Sequence, residues 1–193
     1  MNSLLFDNLN KYCTLTENQF KAIEQVVVRR FVKKRKDLLT EGDVCKYLYF
    51  VDKGCLRSYT TDNDGIEHVV QLVVEQHWVG DLYSFITQTP GTINIEAIED
   101  SEVIVLPYFE LEKLYDEIPA LEKFFRKLFQ RAYVALQQRL NSAQSFSAEE
   151  RYRELIHLRP EIAQRVPLIY IASYLGITPE SLSRIRKLMF SKT

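Results

Sequence analysis

Residues 168–187, LIYIASYLGITPESLSRIRK, leave few folds open. Two short helices crossing at a tight turn need a small residue where the axes meet, a residue able to take a left-handed backbone in the turn, and apolar residues at set positions for a shared core. Counting Leu168 as the first position, the fifth is Ala172, the ninth is Gly176, and positions 4, 8, 10, 15 and 18 are Ile171, Leu175, Ile177, Leu182 and Ile185. All seven requirements of a helix-turn-helix are met. Thr178 then reads as an N-cap and Pro179 as the first residue of the second helix, where a missing N–H costs nothing.

With Leu182 and Ile185 turned inward, the outer face of that second helix carries Glu180, Ser183, Arg184 and Lys187, and its N-terminal end adds the hydroxyls of Thr178 and Ser181. These are the right chemical types for reading DNA, although each taken singly could also be a solvated charge. An arginine donates two parallel hydrogen bonds to guanine, a carboxylate accepts from cytosine, and hydroxyls, lysines and free amides hold phosphates. Arg184 and Glu180 are therefore expected as base readers, and Lys187, Arg186 and Thr178 as backbone contacts. The alternative for the same stretch is a helical hairpin that only closes a core.

Charge supports the first reading. The chain of 193 residues has a net charge of −1, but residues 1–119 carry −8 and residues 120–193 carry +7. A basic half joined to an acidic one is the footprint of a phosphate-backbone binder attached to a module with another task.

The acidic half divides in two. Thr16-Glu17-Asn18-Gln19 is a capping box that opens a helix through Phe20, Ile23 and Val26. From Val28 the segments KYLYFVDKG, CLRSYTTDNDG, EHVVQLVVE and EAIEDSEVIVLP are short and rich in Val, Ile, Tyr and Phe, with glycine turns between them. Turn signals every 11 to 15 residues predict a small antiparallel barrel or jelly roll. TDNDG, with Asp64-Gly65, is its clearest hairpin. The basic run Arg29 to Lys36, placed just before the first strand, reads as a solvated edge protected by its charges.

After Pro107 the pattern is helical. A short helix from Phe109 to Glu117 is broken at Pro119, and a long one follows from Leu121 to about Asn141. Phe125, Phe129, Ala132, Leu136 and Leu140 form one apolar stripe, widened by Leu121, Leu128 and Ala135. So broad a surface calls for two neighbours. One is expected to be the β-module and the other the same helix of a second chain, with Leu121, Phe125, Leu128, Ala132, Ala135 and Leu136 at the dimer interface; the alternative is that both faces pack within one chain. Ser147 and Glu150 make a second capping box, Pro160 ends the helix it opens, and Pro167 is expected in the first turn of the next. The expected units are 1–118 (β-roll with its N-terminal helix), 119–144 (dimerisation helix) and 145–193 (helix-turn-helix).

Catalysis and metal chemistry find little to build on. Cys13, Cys45 and Cys55 are spaced by 32 and 10 residues, which matches no zinc or Fe–S pattern, so free thiols are expected. His68 and His77 stand nine apart without the HxH and glutamate of a metal-dependent cupin, and no nucleophile–base pairing stands out. No catalytic residue, metal or cofactor is predicted. There is no apolar stretch of 18 residues and no signal-peptide pattern, so a cytoplasmic protein without a membrane partner is expected.

Taken together, "LTEGDVCKYLYFVDKGCLRSY", "VGDLYSF", the long helix and "ITPESLSRIRK" resemble the Crp/Fnr family over about residues 15–190. The resemblance implies an α+β chain: an antiparallel, cyclic-nucleotide-binding-like β-roll, a long dimerisation helix, and a C-terminal winged-type helix-turn-helix whose wing is reduced or absent. It also implies a homodimer on a pseudo-palindromic operator in double-stranded DNA, contact with RNA polymerase, and an effector site in each β-roll, here mapped to Gly80, Asp81 and Thr92. Nucleotide-binding members follow a Gly-Glu pair with an Arg-Ser pair that holds the cyclic phosphate. Residues 90–94, PGTIN, contain no arginine, so a bound phosphate would lack its charge partner and weak or no cAMP binding is expected. Pro179 stands where one branch of the family has a base-contacting arginine, which leaves the half-site open. The effector is unknown. A β-roll that works through protein contacts and never meets DNA is the alternative reading.

Overall fold

The computed structural model describes residues 3–190. Two four-stranded antiparallel sheets face each other. One has the order β1 (Val28–Val32), β8 (Ser101–Pro107), β3 (Tyr47–Lys53), β6 (Trp78–Val79); the other has the order β2 (Asp37–Leu39), β7 (Asn94–Ala97), β4 (Cys55–Thr61), β5 (Glu67–Val74). Helices α1 (Leu4–Leu9) and α2 (Glu17–Val26) precede the roll, and α3 (Leu82–Thr87) joins β6 to β7. Then come α4 (Tyr108–Glu117), α5 (Pro119–Ser145), α6 (Ala148–Leu158), α7 (Pro160–Arg165), α8 (Leu168–Leu175) and α9 (Pro179–Phe190). Among the described residues every element after β8 is helical, and none of the helices is long and apolar enough to cross a membrane.

Local chemistry sets the boundaries. Both expected capping boxes form, Thr16 with Gln19 and Ser147 with Glu150. The β4–β5 hairpin closes through Asp62 and Ile66, whose amide and carbonyl pair at 3.0 Å. Other boundaries differ from expectation. The basic run does not precede the first strand, because Val28–Val32 is itself β1, an edge strand whose Arg29 pairs with Asp52 at 2.6 Å. Pro167 lies one residue before α8 rather than inside its first turn. Helix α1 was not anticipated; Ser3 caps it, and Asn8 pins it to the roll by donating to the Gln76 carbonyl and accepting from Trp78 Nε1.

There are two cores. The first lies between the sheets and under α1, α2, α4 and the start of α5. The second covers the outer face of the β4–β5 sheet, where Cys55, Val69, Leu72, Val74 and Ile98 pack with Tyr152, Ile162, Val166, Ile171, Leu175 and Leu182. Strand alternation sends Val73 into the first core and Leu72 and Val74 into the second. That is why QLVVE reads as a continuous apolar run: its sheet is covered on both sides.

Candidate nucleic-acid interface

The crossing of α8 and α9 is built as its spacing requires. Ile171, Ala172 and Leu182 are 0% exposed, and Gly176 turns the chain with φ +66°, a conformation in which any Cβ is strained. The Ile177 amide then donates to the Ala172 carbonyl at 3.0 Å. Thr178 caps α9, its Oγ1 accepting from the Ser181 amide at 3.2 Å.

Glu180, Ser183, Arg184 and Lys187 are all exposed, as is Thr178, and Ser181 is half-buried. Arg184 Nη2 reaches Ser181 Oγ at 3.4 Å, and Thr178 Oγ1 reaches the same oxygen at 3.2 Å. The Glu180 carboxyl is held below the usual carboxylate range by its own backbone amide and the Thr178 hydroxyl, with Arg184 adding to the effect. It is therefore a full acceptor at neutral pH. Arg186, expected only as a backbone contact, is half-buried with its Nε enclosed.

The long helix corrects part of the expected dimer face. Leu121 and Phe125 are each 1% exposed, because they pack into their own β-roll, Phe125 against Trp78 at 5.3 Å between ring centroids. Both are unavailable to a second chain, and Leu128 is half-buried against the same core. Sequence periodicity could not show this, since it places residues on a face without saying who covers that face. Ala132, Ala135 and Leu136 are exposed, and Tyr133 and Leu140 join them with 62% and 56% exposure.

Gly80, Asp81 and Thr92 do come together. Asp81, 2% exposed, caps α3 by accepting from the Ser84 amide at 3.1 Å with one oxygen and from the Thr92 amide at 3.2 Å with the other. A Cβ on Gly91 would lie 2.2 Å from that second oxygen. An anion already occupies the amide donors, and the neighbouring position has no room for a side chain.

The helices sit on the roll through polar groups that no local pattern announced. Arg57 of β4, 3% exposed, lies between the rings of Tyr59 and Tyr170, 4.0 and 4.1 Å from their centroids, and pairs with Glu67 and Glu96. Arg165 of α7 holds Glu75 and Glu99. Burial beneath this seam pushes the Cys55 thiol up to about 12, so it stays protonated. The one sequence signal was the doubly covered run at Leu72 to Val74.

Comparison with known proteins agrees with this architecture. Residues 29–117 match the family described as the cyclic nucleotide-binding domain. The fumarate and nitrate reduction regulatory protein of Vibrio cholerae is 28% identical over 186 positions, which cover 89% of this chain and 73% of that one. The anaerobic regulatory protein of Haemophilus influenzae is 27% identical over 186 positions, covering 89% and 71%. Among solved structures, the c-di-GMP-responsive global regulator CLP of Xanthomonas campestris superposes with a TM-score of 0.74 at 16% identity, covering 92% of this chain and 93% of that one. FixK2 of Bradyrhizobium japonicum gives 0.70 at 20% identity, covering 86% of each chain. Residues 29–117 thus match the cyclic nucleotide-binding domain, and the chain is similar over most of its length to fumarate and nitrate reduction regulatory proteins.

Proposed function

We propose that this protein is a homodimeric, sequence-specific DNA-binding regulator that reads a pseudo-palindromic operator with α9 of each subunit. The observation that carries this reading is the exposed outer face of α9: Glu180, Ser183, Arg184 and Lys187 point away from a helix pair whose inner residues Ile171, Ala172, Leu175 and Leu182 are buried, with Ile177 and Ile185 half-buried beside them. Arg184 and Glu180 read bases, Ser183 lies beside them, and Thr178, Ser181, Lys187 and the half-buried Arg186 contact the phosphates. Residues 1–118 serve as the β-roll module, 119–144 as the dimerisation helix through Ala132, Ala135 and Leu136, and 145–193 as the DNA-binding unit. RNA polymerase is the further partner, as it is typically for regulators of this kind.

The β-roll senses an unidentified small molecule at Gly80, Asp81 and Thr92 or has ceased to sense. Asp81, already satisfied by two amides, supports a site that rejects cyclic phosphates. Selection from random duplex DNA followed by titration of the selected site at several salt concentrations tests the reading. A shared consensus with a steep loss of affinity as salt rises is expected. No enrichment of any sequence would sink it and favour a β-roll that acts through protein contacts.

A further inference from the structure

The second sheet ends at β5, so the outward amides and carbonyls of that strand have no strand partner. They are taken up by side chains. Ser173 Oγ of α8 accepts from the Val69 amide at 2.9 Å and donates to the Glu67 carbonyl at 3.1 Å. Arg139 of α5 donates to the Val69 carbonyl from Nη2 at 3.3 Å and to the Val70 carbonyl from Nη1. The same guanidinium lies over the ring of Tyr174, the residue after Ser173, 4.3 Å from its centroid.

The point they grip is irregular. Ser58 pairs with Gln71 and Tyr59 with Val69, so Val70 is the extra residue of a β-bulge. Arg139 stands two heptads after Phe125, so the side of α5 that packs on the roll at Phe125 returns to it at Arg139, beyond the exposed stretch around Ala132. Ser58, opposite the bulge, shares the face of Leu56 and lines the roll's interior, 2% exposed. One guanidinium thus joins the long helix, an irregularity in the wall of the roll, and the first helix of the helix-turn-helix.

We propose that Arg139 is a positioning residue for the helix-turn-helix, tying the pose of α8 and α9 to the geometry of the Val70 bulge. Arginine suits the place because its plane stacks on Tyr174 while its edge donates to two carbonyls, which lysine cannot do together. The consequence for DNA rests on the proposed role of α9; the mechanical coupling does not.

Hydrogen exchange on the full chain reads the coupling directly, with residues 103–106 of β8 as the internal reference. In Arg139→Ala, exchange is expected to rise about tenfold or more in both 67–74 and 168–175 while 103–106 stays as in the wild type. Arg139→Lys should fall between the two, and Ser173→Ala, which leaves the guanidinium in place, should show the same pattern more weakly. Unchanged protection of 168–175 in Arg139→Ala overturns the proposal, and so does equal acceleration of all three segments, which marks a loss of general stability. Affinity for the selected duplex is then expected to drop at least tenfold in Arg139→Ala. If the wild type selects no duplex, the reading of α9 fails while the exchange result still decides the coupling; if it does and exchange is unaltered, only the role of Arg139 fails.

Discussion

Arg165 of α7 grips Glu75, the residue just after β5, with both prongs of its guanidinium, Nη1 to Oε2 at 2.7 Å and Nη2 to Oε1 at 2.9 Å, across 90 residues of sequence. Burial alone would raise the Glu75 pKa, but hydrogen bonds from Arg165 and the Gly54 amide outweigh it and hold the carboxyl at about 2. The pair fastens the helices to the roll beside Cys55, and its titration has a visible consequence.

A carboxyl whose folded pKa lies below the unfolded value of 4.5 contributes stability in full above that pH and loses it as pH falls toward 2. Partial exposure of both partners screens the pair, so the contribution is about 1–2 kcal/mol. Thermal melts of the wild type and Glu75→Gln should therefore differ by that amount at pH 6 and converge near pH 2. Equal separation of the two melts across the range would show that Glu75 acts through packing and not through its charge.

Arg184→Ala removes the bidentate donor on the outer face of α9. A loss of about 1–3 kcal/mol in affinity for the selected duplex is expected, together with relaxed preference at one base pair of each half-site. Fluorescence anisotropy with a panel of single-base variants measures both; an unaltered preference would remove Arg184 from base reading.

Ala132→Glu places a charge in the middle of the exposed stretch of α5, between side chains a second helix would have to cover. Sedimentation equilibrium should show monomers, and those monomers should bind the full operator at least tenfold more weakly, since two half-sites are no longer read together. A dimer of wild-type strength would move the interface off this face of α5.

Titration of cyclic AMP into the wild type, followed by calorimetry, should give no saturable heat at micromolar nucleotide. The reason is the Asp81 carboxylate on the Thr92 amide, 2.2 Å from where any side chain at Gly91 would begin. A stoichiometric micromolar complex would show that Asp81 leaves those amides to the ligand.

Much of this protein was legible residue by residue. The helix-turn-helix positions, both capping boxes and the β4–β5 turn each depend on residues within a few places of one another, so their chemistry is complete in the local sequence. Ala172, Gly176 and Leu182 had few alternatives once their neighbours were read. Which faces are covered was decided elsewhere. Leu121 and Phe125 lie on the same stripe as Ala132 and Leu136, yet the first two are buried in the roll and the last two are exposed. Arg57, Arg139 and Arg165 look like any solvated cations in the sequence, and they became joints between roll and helices only when folding set Tyr170 over Arg57, the unpaired edge of β5 beside Arg139, and the Glu75 and Glu99 carboxylates beside Arg165. Periodicity assigns a residue to a side of a helix or strand; the partner on that side comes from segments dozens of residues away, and only the folded chain brings them into contact.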